Sequence, residues 1–114
     1  MKNFSVKLDL AITALKHAGV VKEGKYDKEF KSYISSFGAS VLQSGLKPTV
    51  AFYSEKGGAN TDRQHLLVAL MTMMSQNGKM YDYLLIHDNL DHLEDEILNN
   101  AIALKLALRL FEAK

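Results

Sequence analysis

Residues 44–58 read SGLKPTVAFYSEKGG. The stretch holds the only proline of the chain, three residues after one glycine and nine before a glycine pair. Gly45 can take positive φ at low cost and so can end a helix. Pro48 suits the first turn of a new helix, where its missing N–H would have had no partner. The spacing therefore predicts a helix ending at Gly45, a tight corner, and a short helix through Val50, Ala51 and Tyr53 to about Lys56. Gly57 and Gly58 stop it, and Lys56 offsets the negative end of its dipole. A stop and a start this close together are the corner of a helical bundle.

Helical spacing continues on both sides. Upstream, Tyr26, Phe30, Tyr33, Ile34, Phe37, Val41 and Leu42 lie along one side of a second helix, and Lys25, Lys28 and Lys31 leave from another. Gly38 weakens that helix by about 1 kcal/mol relative to alanine and marks a bend or a close helix contact. Further upstream, Val6, Leu8, Ala11, Ile12, Leu15 and Ala18 recur at three and four residues in a first helix over 4–18, capped by Gly19. The segment VVKEGK reads as a linker. Downstream, Thr61 and Gln64 form a capping-box pattern ahead of Leu66, Leu67, Leu70, Met71 and Met74. Asn77-Gly78 closes that helix, and a shorter one covers 80–86. The segment HDNLDHLEDE opens the last helix with acids in its first turns, where the dipole favours them. Leu93, Ile97, Ala101, Leu104, Leu108 and Phe111 form its seam. No segment shows strand alternation. The expected fold is all-α: one domain over 1–114, a single compact bundle of five or six helices.

The chain has 114 residues, enough to bury a core without staples. With no cysteine, disulfide and thiolate chemistry are excluded. The longest apolar run, residues 66–71, is far too short for a bilayer, and Lys7 and Asp9 interrupt what would be the core of a signal peptide. Cytoplasmic location is the expectation. Net charge is +1 but unevenly placed. Residues 1–56 carry nine lysines against five acids, and residues 57–114 five basic groups against eight acids. Such a layout suits a surface that meets one partner with its basic part and another with its acidic part.

No reaction is legible. His87, Asp88, Asp91, His92, Asp95 and Glu96 bring metal-binding residue types together, and a metal-dependent hydrolase at His87, Asp91, His92 and Asp95 is one reading. HExxH is absent, however, and an EF-hand loop lacks its glycine, so a solvated acidic face at a helix start is the simpler account. His17 and His65 read as surface or boundary residues. The glycines of EKGGANTDR precede a helix start, but GxxxxGK[ST] is absent and a turn suffices. Met71, Met73, Met74 and Met80 read as core filling, as do Phe30, Tyr33 and Phe37. No cofactor and no metal are expected.

The stretch that sets the fold also carries a resemblance. Ser44-Gly45-Leu46, then Thr49-Val50-Ala51-Phe52, then Ser54-Glu55-Lys56 resembles the central signature of the small all-helical subunit of the type III-B CRISPR effector, the Cmr complex. A final helix with Ala101, Leu104, Leu108, Arg109, Phe111 and Ala113 is similar to the family's C-terminal run. Two features depart from its pattern: Gly38-Ala39 stands where a Leu-Pro pair is common, and tryptophan is missing near the end. The resemblance implies a non-catalytic subunit in antiviral defence, packed beside guide RNA and target RNA. Its implied partners are the backbone subunits, the large polymerase-like subunit and copies of itself, with no membrane involved. Lys56 and Arg109 match basic family positions. Lys47, Arg63 and Lys105 join them from the expected surfaces as RNA-backbone contacts, with Lys25, Lys28 and Lys31 as a secondary basic face. Asp88, Asp91, Asp95 and Glu96 are the candidates for contact with a basic protein neighbour. The alternative is a stand-alone helical adaptor or nucleic-acid-binding regulator.

Overall fold

In the first helix, the residues three and four apart that bury one stripe are Ala11, Ala14, Leu15 and Ala18, while Val6 stays exposed. The structure, a computed structural model, describes residues 2–55 and 63–114. Helix α1 spans Lys2–His17. It ends in a Schellman motif: the Val20 N–H donates to the Leu15 carbonyl at 3.0 Å and the Gly19 N–H to the Lys16 carbonyl at 3.2 Å.

The expected linker is not one. Val21–Lys22 (β1) and Lys25–Tyr26 (β2) form an antiparallel hairpin, with Val21 opposite Tyr26 and Lys22 opposite Lys25. Glu23 and Gly24 both take positive φ, 54° and 75°, which gives the two-residue turn the twist a hairpin needs. Glu112–Ala113 (β3) then pairs with β2 in parallel. The sheet is small, and the helices remain the frame of an all-α bundle.

Helix α2, Glu29–Ser44, buries Phe30, Ile34, Phe37 and Val41. Tyr26, expected on this helix, is buried from β2 instead, and Leu42 is exposed. Gly38 sits in no close helix contact: a Cβ there would meet nothing within 4 Å. Gly38→Ala is therefore expected to stabilise the purified chain by about 0.5–1 kcal/mol, read as a rise in its thermal midpoint.

At Gly45 the chain turns and α3, Leu46–Tyr53, folds back along α2, with Pro48 in its first turn as expected. It stops at Tyr53, short of Lys56, which lies outside the described residues with Gly57, Gly58 and Thr61. The two helices are clasped by side chains. The Ser40 and Thr49 hydroxyls meet at 2.7 Å, and the Tyr53 hydroxyl donates to the Tyr33 carbonyl at 2.7 Å.

Helix α4, Gln64–Met73, buries its leucines together with Met71 and Met73. Asn77-Gly78 does not close it. Ser75, at φ 56°, supplies the left-handed residue, and the Gln76 N–H reaches back to the Met71 carbonyl at 2.9 Å. Helix α5 spans Met80–Leu85 and α6 spans Leu90–Leu108. Asn89 caps α6, its side-chain oxygen accepting from the Asp91 N–H at 3.0 Å. Leu93, Ile97, Leu104 and Leu108 make the buried seam. Phe111, Glu112 and Ala113 were expected on this helix but lie past its end, where Glu112 and Ala113 join the sheet.

Helix α6 lies between α1 and α2. Buried Asn100 faces α1 and accepts a hydrogen bond from the Lys7 ammonium at 2.9 Å. The strand that follows α6 pairs with the strand that precedes α2, and the two helices pack along their length, so they run antiparallel. The C-terminal end of α6 thus sits at the sheet, beside the start of α2.

Candidate nucleic-acid interface

The small sheet gathers cations that are far apart in the chain. The Glu112 N–H donates to the Gly24 carbonyl at 3.0 Å and the Lys114 N–H to the Tyr26 carbonyl at 2.9 Å. These bonds bring the end of α6, with Arg109 at its C-cap, next to the hairpin that carries Lys25. Lys28 and Lys31 follow at the start of α2, and Lys105 lies one turn before Arg109. Lys25, Lys28, Lys31 and Arg109 are exposed, and Lys105 is half-buried along the α2–α6 cleft. Lys105 and Arg109 sit at i and i+4, on one side of their helix. The secondary basic face and two of the primary candidates are therefore one region.

The other three primary candidates do not belong to that cluster. Lys47 opens α3, beside the far end of α2, and Lys56 lies outside the described residues. Arg63 precedes α4, and its guanidinium lies 4.5 Å from the centre of the Phe52 ring. Its Nε is buried and makes no hydrogen bond among the described residues.

Three lysines that the sequence did not mark as contacts join the sheet end. Lys22 is directly opposite Lys25 in the hairpin, a like-charge pairing that costs stability unless an anion or solvent relieves it. The spacing K-E-G-K around a two-residue turn was the available signal. Lys114 meets Asp27 at 3.5 Å, and both side chains are well exposed, so the pair contributes little. Lys16 stands 5.8 Å over the Phe111 ring. Glu23, Asp27, Glu29 and Glu112 are the acids of this end.

The opposite end is acidic. Asp88, Asp91 and Asp95 are exposed at the start of α6, with Glu96 half-buried. Among the described residues no three His, Cys, Asp or Glu side chains come together as a metal-holding group. His87 folds back along α5, its Nδ1 donating to the Tyr83 carbonyl at 2.8 Å and its ring 4.4 Å from that of Tyr83. Burial pushes the Tyr53 hydroxyl up to about 12, against the opposing pull of Arg63. It is a neutral hydrogen-bond donor at physiological pH.

The family model for CRISPR-associated protein Cas_Cmr5 matches residues 8–107. The chain belongs to the Cas_Cmr5 family. The match runs from the middle of α1 almost to the end of α6, so it takes in the Gly45 corner, the hairpin and Lys105, and stops short of Arg109 and β3. No curated protein and no solved structure gives a match. Like the resemblance drawn from residues 44–56, the Cas_Cmr5 match points to a small helical CRISPR-associated subunit. No helix among the described residues is long and apolar enough to cross a membrane.

Proposed function

We propose that the chain is a non-catalytic small subunit of a type III-B Cmr ribonucleoprotein, packed beside guide and target RNA in cytoplasmic antiviral defence. Family membership over residues 8–107 carries this reading. The sheet end supplies its chemistry: Lys25, Lys28, Lys31, Lys105 and Arg109 stand as phosphodiester contacts on one end of the bundle. Such contacts hold backbone and shape, while guide–target pairing reads sequence. The acidic start of α6, at the other end, faces a basic surface of a neighbouring subunit. Backbone subunits, the large polymerase-like subunit and further copies of the chain are the protein partners.

Charge neutralisation has a direct signature. In the assembled complex, removing Lys105 and Arg109 together is expected to weaken RNA binding and to flatten its salt dependence. Each lost contact to a single strand lowers the slope of log K against log salt by about 0.7, hence about 1.4 for the pair. A titration at several salt concentrations measures it. An unchanged slope removes these two residues from the RNA surface.

A further inference from the structure

Phe52 is the most exposed aromatic side chain of the corner that sets the fold, at 52%. On α3 the inward positions are Leu46, Thr49, Val50 and Tyr53, so Phe52 points out with Ala51 and Pro48. A phenylalanine here adds nothing to the core. Its ring is nevertheless held. The Arg63 guanidinium lies 4.5 Å from the ring centre, and the Tyr53 ring meets it near edge-to-face at 5.8 Å. Tyr53 is fixed in turn by its bond to the Tyr33 carbonyl and by Phe37, 5.3 Å away at 86°. A line of rings therefore runs from the fully buried Phe37 to a surface ring with about half its area open.

We infer that Phe52, braced by Arg63, stacks an unpaired nucleobase of the bound RNA. This rests on the RNA-packing reading and extends it from phosphates to bases. A nucleotide presents a flat π-face and an anion. The corner offers a ring surface already oriented and, beside it, the positive charge of a guanidinium, which suits the phosphate of the same nucleotide. Because the ring is positioned before the ligand arrives, binding orders little new. Every base has a π-face, so the contact tolerates sequence, as a subunit must when pairing elsewhere reads the guide. A protein anchor is the less fitting occupant: the neighbouring outward positions are proline, alanine and the charged Lys47 and Glu55, not an apolar patch.

The test uses the purified chain at one low salt concentration and two labelled probes: a short single-stranded oligouridine and an abasic ribose-phosphate strand of equal length. Phe52→Ala is expected to lower affinity for oligouridine about tenfold and to leave the abasic strand unaffected. Phe52→Trp is expected to restore oligouridine binding. The chain has no tryptophan of its own, so quenching of the new fluorescence by oligouridine, and not by the abasic strand, reports stacking directly. Equal affinities of Phe52→Ala and the unaltered chain on both probes would overturn the inference, as would equal losses on both. So would a Phe52→Ala chain that keeps its RNA affinities but no longer co-purifies with the other subunits, which would make the ring a protein contact. If the unaltered chain binds neither probe, alone or assembled, the RNA reading falls and the inference with it. In every other outcome the RNA reading stands apart from the role of Phe52.

Discussion

Phe37→Ala is expected to destabilise the fold by about 3–5 kcal/mol. Phe37 has no exposed surface and lies where α2 and α3 close on each other. Truncation removes the transfer free energy of the ring and leaves a void that close-packed neighbours fill only in part. It also deletes the edge-to-face contact with Tyr53, of a kind worth about 0.5–1.5 kcal/mol beyond area burial. For a domain near 100 residues each kcal/mol moves the thermal midpoint by about 4–8 °C, so a fall of more than about 12 °C is expected. Phe37→Leu keeps much of the volume and is expected to lose far less. Urea unfolding of the three proteins measures both differences. A loss below about 1 kcal/mol for Phe37→Ala would mean that α3 does not pack on α2 as described. The same substitution bears on the surface, because Phe37 supports Tyr53 and Tyr53 supports Phe52.

What the sequence makes legible is local. The helices announce themselves because apolar residues repeat at three and four positions, and Gly19, Gly45 and Pro48 punctuate them where a cap or a first turn requires it. The misses are of two kinds. Ser75 ends α4 in a conformation usually left to glycine, so attention falls on Gly78 instead. The sheet is invisible for another reason. Strands of two residues are too short to alternate, and β3 pairs with a strand more than eighty residues earlier. The candidate interface inherits that limit. Basic residues are countable in the sequence, but only the β2–β3 pairing brings Arg109 to the hairpin that carries Lys22 and Lys25. The Phe52–Arg63 stack likewise spans the α3–α4 connection and leaves no local pattern.

The corner itself gives the second large effect. Gly45 has φ 97° and ψ 164°, a region that residues with a Cβ scarcely enter. Gly45→Ala is expected to cost about 1–3 kcal/mol, read as a lower urea midpoint at unchanged m-value. Crowding is not the cause: a Cβ there would meet Pro48 Cδ at 3.7 Å, an ordinary contact. The penalty lies in the backbone of residue 45, which separates this site from Gly38, where the same change is expected to stabilise. Asparagine makes the distinction sharper. It is tolerated in the left-handed helical region, where ψ is near +47°, and that tolerance does not extend to ψ 164°. Gly45→Asn is thus expected to cost about as much as Gly45→Ala. If residue 45 relaxed to an ordinary φ, α3 would swing away from α2. The Ser40–Thr49 and Tyr53–Tyr33 bonds would then break, and Tyr53, the ring beside Phe52, would lose its anchors on α2. An alanine variant as stable as the original would place the turn's strain elsewhere and remove Gly45 as the residue that sets the corner.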